Sequence, residues 1–350
     1  MKTVNQLNEK KTAQVLKGNR FWRWMKLIFK WLGLLLLVLA LLGAIFQFVT
    51  TRINDKSYPP PGKLVDVGGY RLHLRSAGNG GPTVVMDAGL GGASISWSLV
   101  QPEIAKFTTV CTYDRAGMGW SDVGPRPRTS QQIVKELHTL LRNGGIKKPY
   151  VLVGHSSGGF NMLLYARQYP DEVAGLVLVD ASHERQLERF PNPPLPDRIL
   201  KKMMPYLYKI LPPLGVGHLV MREKPDPRLP PAVREMNEAV RLRSQTANTA
   251  ADELLSLEES FAQFSSVPEM LGDMPLIVLS RGKKWLTPGM SAELNKQYDQ
   301  VWNELQADHA ARSRNGIRII AEKSGHFIQK DQPELVIDAV RRVVEAVRAR

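Results

Sequence analysis

One cysteine, Cys111, stands in 350 residues, which excludes an internal disulfide framework and any cysteine-rich zinc module. No H-E-x-x-H or comparable metal-ligand spacing occurs, and no internal repeat is visible. Aromatic residues are scarce at 7% and are nowhere interleaved with a basic stripe, so the formal charge of +14 does not mark a nucleic-acid binder. What is present is ordinary for a globular protein. At 43% hydrophobic and 23% charged residues, the chain is neither disordered, collagen-like nor a coiled coil, and it can bury a sizeable core.

The positive charge is concentrated at one end. Residues 1–56 hold ten Lys/Arg against Glu9 and Asp55, a surplus of eight that leaves only six for the other 294 residues. Trp31 to Thr51 carries no charge and as a helix would be about 30 Å long, enough to cross a bilayer. A cleavable signal peptide fits less well, because the basic lead is long and Leu42-Gly43-Ala44 is a poor cleavage site. The expected organisation is a basic cytoplasmic segment at 1–30, an anchor at 31–51, a linker at 52–62 and a folded domain at 63–350 outside the cytoplasm. Tyr58-Pro59-Pro60-Pro61-Gly62 reads as a stiff spacer lifting that domain off the membrane.

From Lys63 onward, short apolar runs alternate with helical patterns. Strands are expected at Leu64–Val67, Tyr70–Arg75, Thr83–Asp87, Thr108–Thr112, Tyr150–Val153, Leu176–Val179, Leu276–Leu279 and Ile317–Ile320. Such runs between helices imply an α/β fold with a mostly parallel eight-stranded sheet covered on both faces. Capping-box spacings, Thr129 to Gln132 and Asp331 to Glu334, mark two helix starts, and Val336, Val340, Val343 and Val347 give the last helix a packing stripe. About 95 residues separate the sixth and seventh strands, too many for a crossover, so a partly helical cap is expected at about 183–270.

The fifth strand runs directly into Gly154-His155-Ser156-Ser157-Gly158, a G-x-S-x-G in the strand–turn–helix context its chemistry needs. A sharp elbow holds Ser156 above the sheet, with the Ser157 N–H and the helix start facing any anion that forms. A serine hydroxyl needs a base, and of seven histidines most fall in strands or helices; His155, beside the serine, is expected to project away from it. His326 instead follows the last strand, in Ser324-Gly325-His326-Phe327, at the sheet edge where Ser156 emerges. Asp87-Ala88-Gly89-Leu90-Gly91-Gly92 closes another strand, and the Leu90 N–H is the expected second oxyanion donor, with Gly89 or Gly91 as neighbours. A dinucleotide fingerprint fails there, because Ser94 stands where the last glycine should be.

Taken with these motifs, Tyr113-Asp114-Arg115-Ala116-Gly117-Met118-Gly119-Trp120-Ser121 resembles the D-R-x-G-x-G-x-S segment of the α/β-hydrolase superfamily. The resemblance covers about residues 63–350 and implies that fold with Ser156 as nucleophile, His326 as base and no cofactor. It also implies a small-molecule substrate, an ester with an apolar group being the first expectation. A peptidase or other chemistry on the same residues, or a catalytically silent surface-binding protein, is the competing reading. Ser156 argues against dehalogenase or epoxide hydrolase chemistry, which in this superfamily uses an aspartate. The chain departs from the usual pattern in two places. Asp87 stands where many members have histidine, and the seventh strand leads into Ser280-Arg281-Gly282-Lys283-Lys284-Trp285, with no carboxylate before Glu293. Asp180, directly after the sixth strand and at a place some members use, is therefore the expected acid, with Glu293 or Asp299 as the later candidates.

Overall fold

A computed structural model describes residues 2–220, 226–266, 270–284 and 290–350. The parts of the expected cap at 221–225 and 267–269, and Trp285 after the seventh strand, lie outside the described residues.

All eight expected strands form: β1 (Lys63–Asp66), β2 (Arg71–Ala77), β3 (Thr83–Asp87), β4 (Val110–Tyr113), β5 (Tyr150–His155), β6 (Val173–Val179), β7 (Leu276–Arg281) and β8 (Gly316–Ala321). They build one sheet in the order β1-β2-β4-β3-β5-β6-β7-β8. The β1–β2 and β2–β4 pairs are antiparallel and every later pair is parallel. The longer helices are α1 (Lys2–Ser57), α2 (Ser130–Asn143), α3 (Ser157–Gln168), α4 (Leu195–Ile210), α5 (Pro231–Arg241), α6 (Ser244–Leu255), α7 (Ala292–Ala311) and α8 (Pro333–Arg348).

The side-chain alternation of the buried strands sorts their residues into two cores. Val85, Leu152, Leu176 and Val278 pack with Leu137 and Leu140 of α2 and Leu163 of α3 on one face. Val84, Val151, Val153 and Ile277 pack with Val336, Val340 and Val343 of α8 on the other. Thr129 caps α2 as its spacing implies, its side chain accepting from the Gln132 N–H at 3.3 Å. Asp331 does not cap α8. That helix starts at Pro333 after Gln332, and the Asp331 carboxylate instead accepts from the Gly325 N–H at 2.9 Å and the Ser324 hydroxyl at 3.3 Å.

Between β6 and β7 the chain forms the expected helical insertion, with α4, α5 and α6 as its main helices. The N-terminal segment corrects one expectation. Helix α1 continues through the first part of the expected linker to Ser57, and a stretch of it from Trp22 is long and apolar enough to cross a membrane. The domain is not held away from it. The Gln47 amide donates to the Leu242 carbonyl at 2.9 Å, Arg243 pairs with Asp55 at 2.8 Å, and the Trp120 indole donates to the Tyr58 carbonyl at 2.9 Å. Tyr58 thus ties helix α1 to the core instead of opening a spacer.

Candidate active site

The elbow between β5 and α3 places Ser156 at φ 52°, ψ −123°. Its N–H donates to the Val179 carbonyl at 3.1 Å and its own carbonyl accepts from the Ser182 N–H at 3.0 Å, so the neighbouring strand end holds the strained turn. Gly154 must be glycine here, because a Cβ would lie 2.4 Å from the Gly159 Cα. Among the described residues, two non-glycine residues have φ in the left-handed region: Ser156 and Asp180, the latter at 43°. Strain of this kind persists only where surrounding bonds over-determine it, and it gathers at functional sites.

Asp180 is fully buried and its carboxylate is saturated with donors. Oδ1 accepts from the Arg281 N–H at 3.1 Å and the Trp302 indole at 2.8 Å; Oδ2 accepts from the Arg281 guanidinium at 3.3 Å and His326 Nδ1 at 2.6 Å. Burial alone would push this carboxyl up, but the bond and charge of His326, the Arg281 charge and the Trp302 donor hold it below the usual carboxylate value. Because His326 Nδ1 donates to a carboxylate, its Nε2 is left as an acceptor in the neutral ring. Asp299 reaches Arg281 at 3.0 Å and so braces the arginine. Glu293 lies in the first turn of α7.

His155, expected to project away from Ser156, is turned inward toward the histidine loop. The ring is buried, 4.6 Å from that of His326, and its Nε2 donates to the His326 carbonyl at 2.9 Å. Burial, aided by the neighbouring His326, pushes its pKa down to about 3, so it serves as a neutral prop for the histidine loop. Asp331 holds that loop from the other side. His73 is buried against Asp114 at 2.9 Å, His138 stacks on Tyr169, and His309 donates to the Ser182 carbonyl at 3.1 Å; each is occupied in packing.

The glycine turn after β3 approaches Ser156 closely. A Cβ on Gly89 would stand 2.8 Å from His155 Nδ1 and 3.2 Å from the Ser156 Cβ. Arg115 fixes this turn: it donates to Asp87 at 2.7 Å and to the Ala88 and Gly89 carbonyls at 2.6 and 2.9 Å. It also binds Glu253 of α6 through two nitrogens, at 2.8 and 3.1 Å. Asp87, unusual for its position, is thus an arginine ligand. Ser157 opens α3, where helical N–H groups lack an intrahelical acceptor.

Ser156, His326 and Leu90 line one cavity of about 400 Å³ under the cap, with Tyr208 of α4 and Val240 of α5 on its roof. On the other side of Ser156 a smaller cavity of about 160 Å³ is walled by Leu90, Ser157, Phe160, Leu254 and Phe261. Residues 82–333 match the family model described as the alpha/beta hydrolase fold. The chain belongs to this family. The Bacillus subtilis (strain 168) protein YqjL, itself described as uncharacterized, is 28% identical over 275 residues, covering 78% of this chain and 88% of that protein. An AB hydrolase superfamily protein of Gibberella zeae is 22% identical over 289 residues, 76% of this chain and 87% of that one. Among solved structures, a thermophilic esterase from Thermogutta terrifontis superposes with a TM-score of 0.59 at 21% identity, covering 81% of this chain and 98% of its own, a likeness of fold alone.

Proposed function

We propose that this alpha/beta hydrolase is a membrane-anchored serine hydrolase that cleaves a carboxylic ester. The reading is carried by the 2.6 Å bond from His326 Nδ1 to a buried, strained Asp180, with Ser156 and His326 opening on one cavity. Ser156 Oγ attacks the ester carbonyl while His326 Nε2 takes its proton, and the Leu90 and Ser157 N–H groups receive the oxyanion. Collapse breaks the C–O bond and His326 returns the proton to the departing alcohol. Water then attacks the acyl-enzyme by the same route, releasing the acid and restoring Ser156. Asp180 fixes the Nδ1–H tautomer and stabilises the imidazolium in each transfer. The apolar walls of the two cavities support an apolar group on the substrate, and the esterase neighbour agrees with this class. Helix α1 supports an anchor with its basic end in the cytoplasm and the hydrolase domain across the membrane.

The test uses the full-length protein with a fluorophosphonate probe and p-nitrophenyl esters. Wild type is expected to label and turn over, while Ser156→Ala loses labelling and about 10⁶-fold in kcat at unchanged Tm. His326→Ala falls similarly, and the double variant hardly further, because the groups act as a unit. Additive losses, or a preference for aminoacyl-p-nitroanilides, would overturn the ester mechanism. Release from membranes by alkaline carbonate would overturn the anchor.

A further inference from the structure

Helix α4 carries an apolar stripe on its exposed face. Leu195, Ile199, Met203, Tyr206 and Ile210 follow one another at spacings of four, four, three and four, which places them on one helical face, and each is at least half exposed. The opposite side of α4 faces inward, where Tyr208 roofs the cavity that holds Ser156. Two residues beyond Ile210 the chain enters the short turn Pro212–Leu214, which lies against α1, and then Gly217–Val220, where Leu219 and Val220 are 82% and 71% exposed. A soluble surface does not ordinarily carry so continuous a strip of large apolar side chains.

The contact with α1 fixes the depth of this strip. A Cβ on Gly43 would stand 2.2 Å from the Leu214 carbonyl oxygen, so the two backbones touch. The Phe46 ring meets His218 edge-on at 5.0 Å, and Gln47, 4% exposed, donates to the Leu242 carbonyl. Phe48, by contrast, is 61% exposed, so one side of α1 is given to the cap and another is free. Gly43 precedes Thr51, the end of the uncharged run, by eight residues, or about 12 Å along the helix. An amide at Gln47 inside such a run needs an internal partner, and the cap supplies it.

We infer that the α4 stripe together with Leu219 and Val220 is immersed in the half of the bilayer next to the hydrolase domain, and that the ester cleaved at Ser156 is a membrane-resident lipid that enters past Tyr208. This rests on the anchored serine hydrolase reading. The occupant of the strip is lipid acyl chain, because the strip is continuous with the anchor at mid-span depth. Arg198 and Lys202, exposed on α4 beside it, lie where long cationic side chains reach headgroup phosphates. The reaction is hydrolysis: water and a lipid ester give a fatty acid and the alcohol that carried it.

The experiment places full-length protein in phosphatidylcholine vesicles with brominated acyl chains. An environment-sensitive fluorophore is attached at Leu219→Cys, at Leu36→Cys in the anchor or at Arg314→Cys on the far side of the domain. Quenching at 219 several-fold above that at 314 is expected. Quenching at 36 with none at 219 overturns the immersed cap and leaves the anchor standing; none at either overturns both. The second arm compares Ile199→Asp and Leu219→Asp with wild type on dioleoylglycerol carried in phosphatidylcholine vesicles and on soluble p-nitrophenyl butyrate. A loss of tenfold or more on the vesicle substrate alone is expected. Equal losses on both substrates, or a wild type that cleaves only the soluble ester, overturns the lipid substrate while the serine hydrolase reading stands. A wild type inert to both overturns that reading itself.

Discussion

Asp87 and Asp180 occupy comparable places in the sheet, one closing β3 and the other directly following β6, and each is a buried carboxylate bound by an arginine. Each arginine also has a second carboxylate, Glu253 for Arg115 and Asp299 for Arg281. The two sites differ in what else they hold. Asp87 has ordinary backbone and accepts from Arg115 and, at 3.0 Å, from Asn161, all of it scaffold. Asp180 sits at positive φ and turns one oxygen to a histidine ring. A buried Asp–Arg pair is therefore no mark of catalysis by itself; the strain and the imidazole are what set the proposed acid Asp180 apart from the strut at Asp87.

The largest expected effect tests that separation. Asp180→Asn should lower kcat by about 10⁴-fold through the wrong imidazole tautomer, whereas Asp87→Asn should cost about tenfold through a looser oxyanion turn. Both should lower Tm by a similar few degrees, because each arginine keeps its second partner. Steady-state kinetics beside thermal melts check this, and equal kcat losses would erase the distinction.

The arginines give the next contrast. Arg115→Met leaves Asp87 and Glu253 buried without their cation and should cost about 3–5 kcal/mol of stability by urea unfolding. Arg281→Met should cost about 1–2 kcal/mol, since Asp180 retains Trp302, His326 and a backbone donor. A larger loss at Arg281 would make it, not Arg115, the main structural tie.

The last contrast is in acid, and per pH unit it is the smallest. Below about pH 6.5 the unfolded chain protonates the His155 imidazole, while the native fold resists until about 3, so stability is complete above this window and is lost as pH falls through it. His309, buried and likewise shifted down, acts with the same sign. His155→Gln should make the decline shallower by up to about 1.4 kcal/mol per pH unit. Asp180 works lower: its contribution is present above the ordinary carboxylate value and disappears only as pH drops through its depressed one. An unchanged slope in His155→Gln would show that this ring is not the buried neutral group.

The strands and the GHSSG elbow were legible because their signals are local: unbroken apolar runs between turn residues, and small residues where backbones meet. His326 was legible as the histidine that followed the last strand. The braces were not. Arg115 and Glu253 lie 138 positions apart, and a charge that pairs over such a separation leaves no periodicity to read. Arg281 looks in sequence like a solvated loop cation, and Asp331 has capping-box spacing yet spends its carboxylate on the histidine loop. An uncharged run reads the same whether lipid or protein covers it; that one face of α1 is taken shows only in the contacts of Gly43 and Gln47.

The fork of Arg115 spans three parts of the molecule at once, the β3 end, the glycine turn and helix α6. Its consequence is a division of evolutionary freedom within the cap. Helix α6 is keyed to the turn beside Ser156, so a drift in its position is transmitted straight to the proposed oxyanion donor at Leu90. Among the described residues, helices α4 and α5 make no such fork to the glycine turn, and α4 meets α6 instead through Lys209 and Asp252 at 2.7 Å. Their cavity-facing side chains, Tyr208 and Val240 among them, can change while Ser156 and His326 stay in register, so new substrate preferences in relatives of this chain should arise there first.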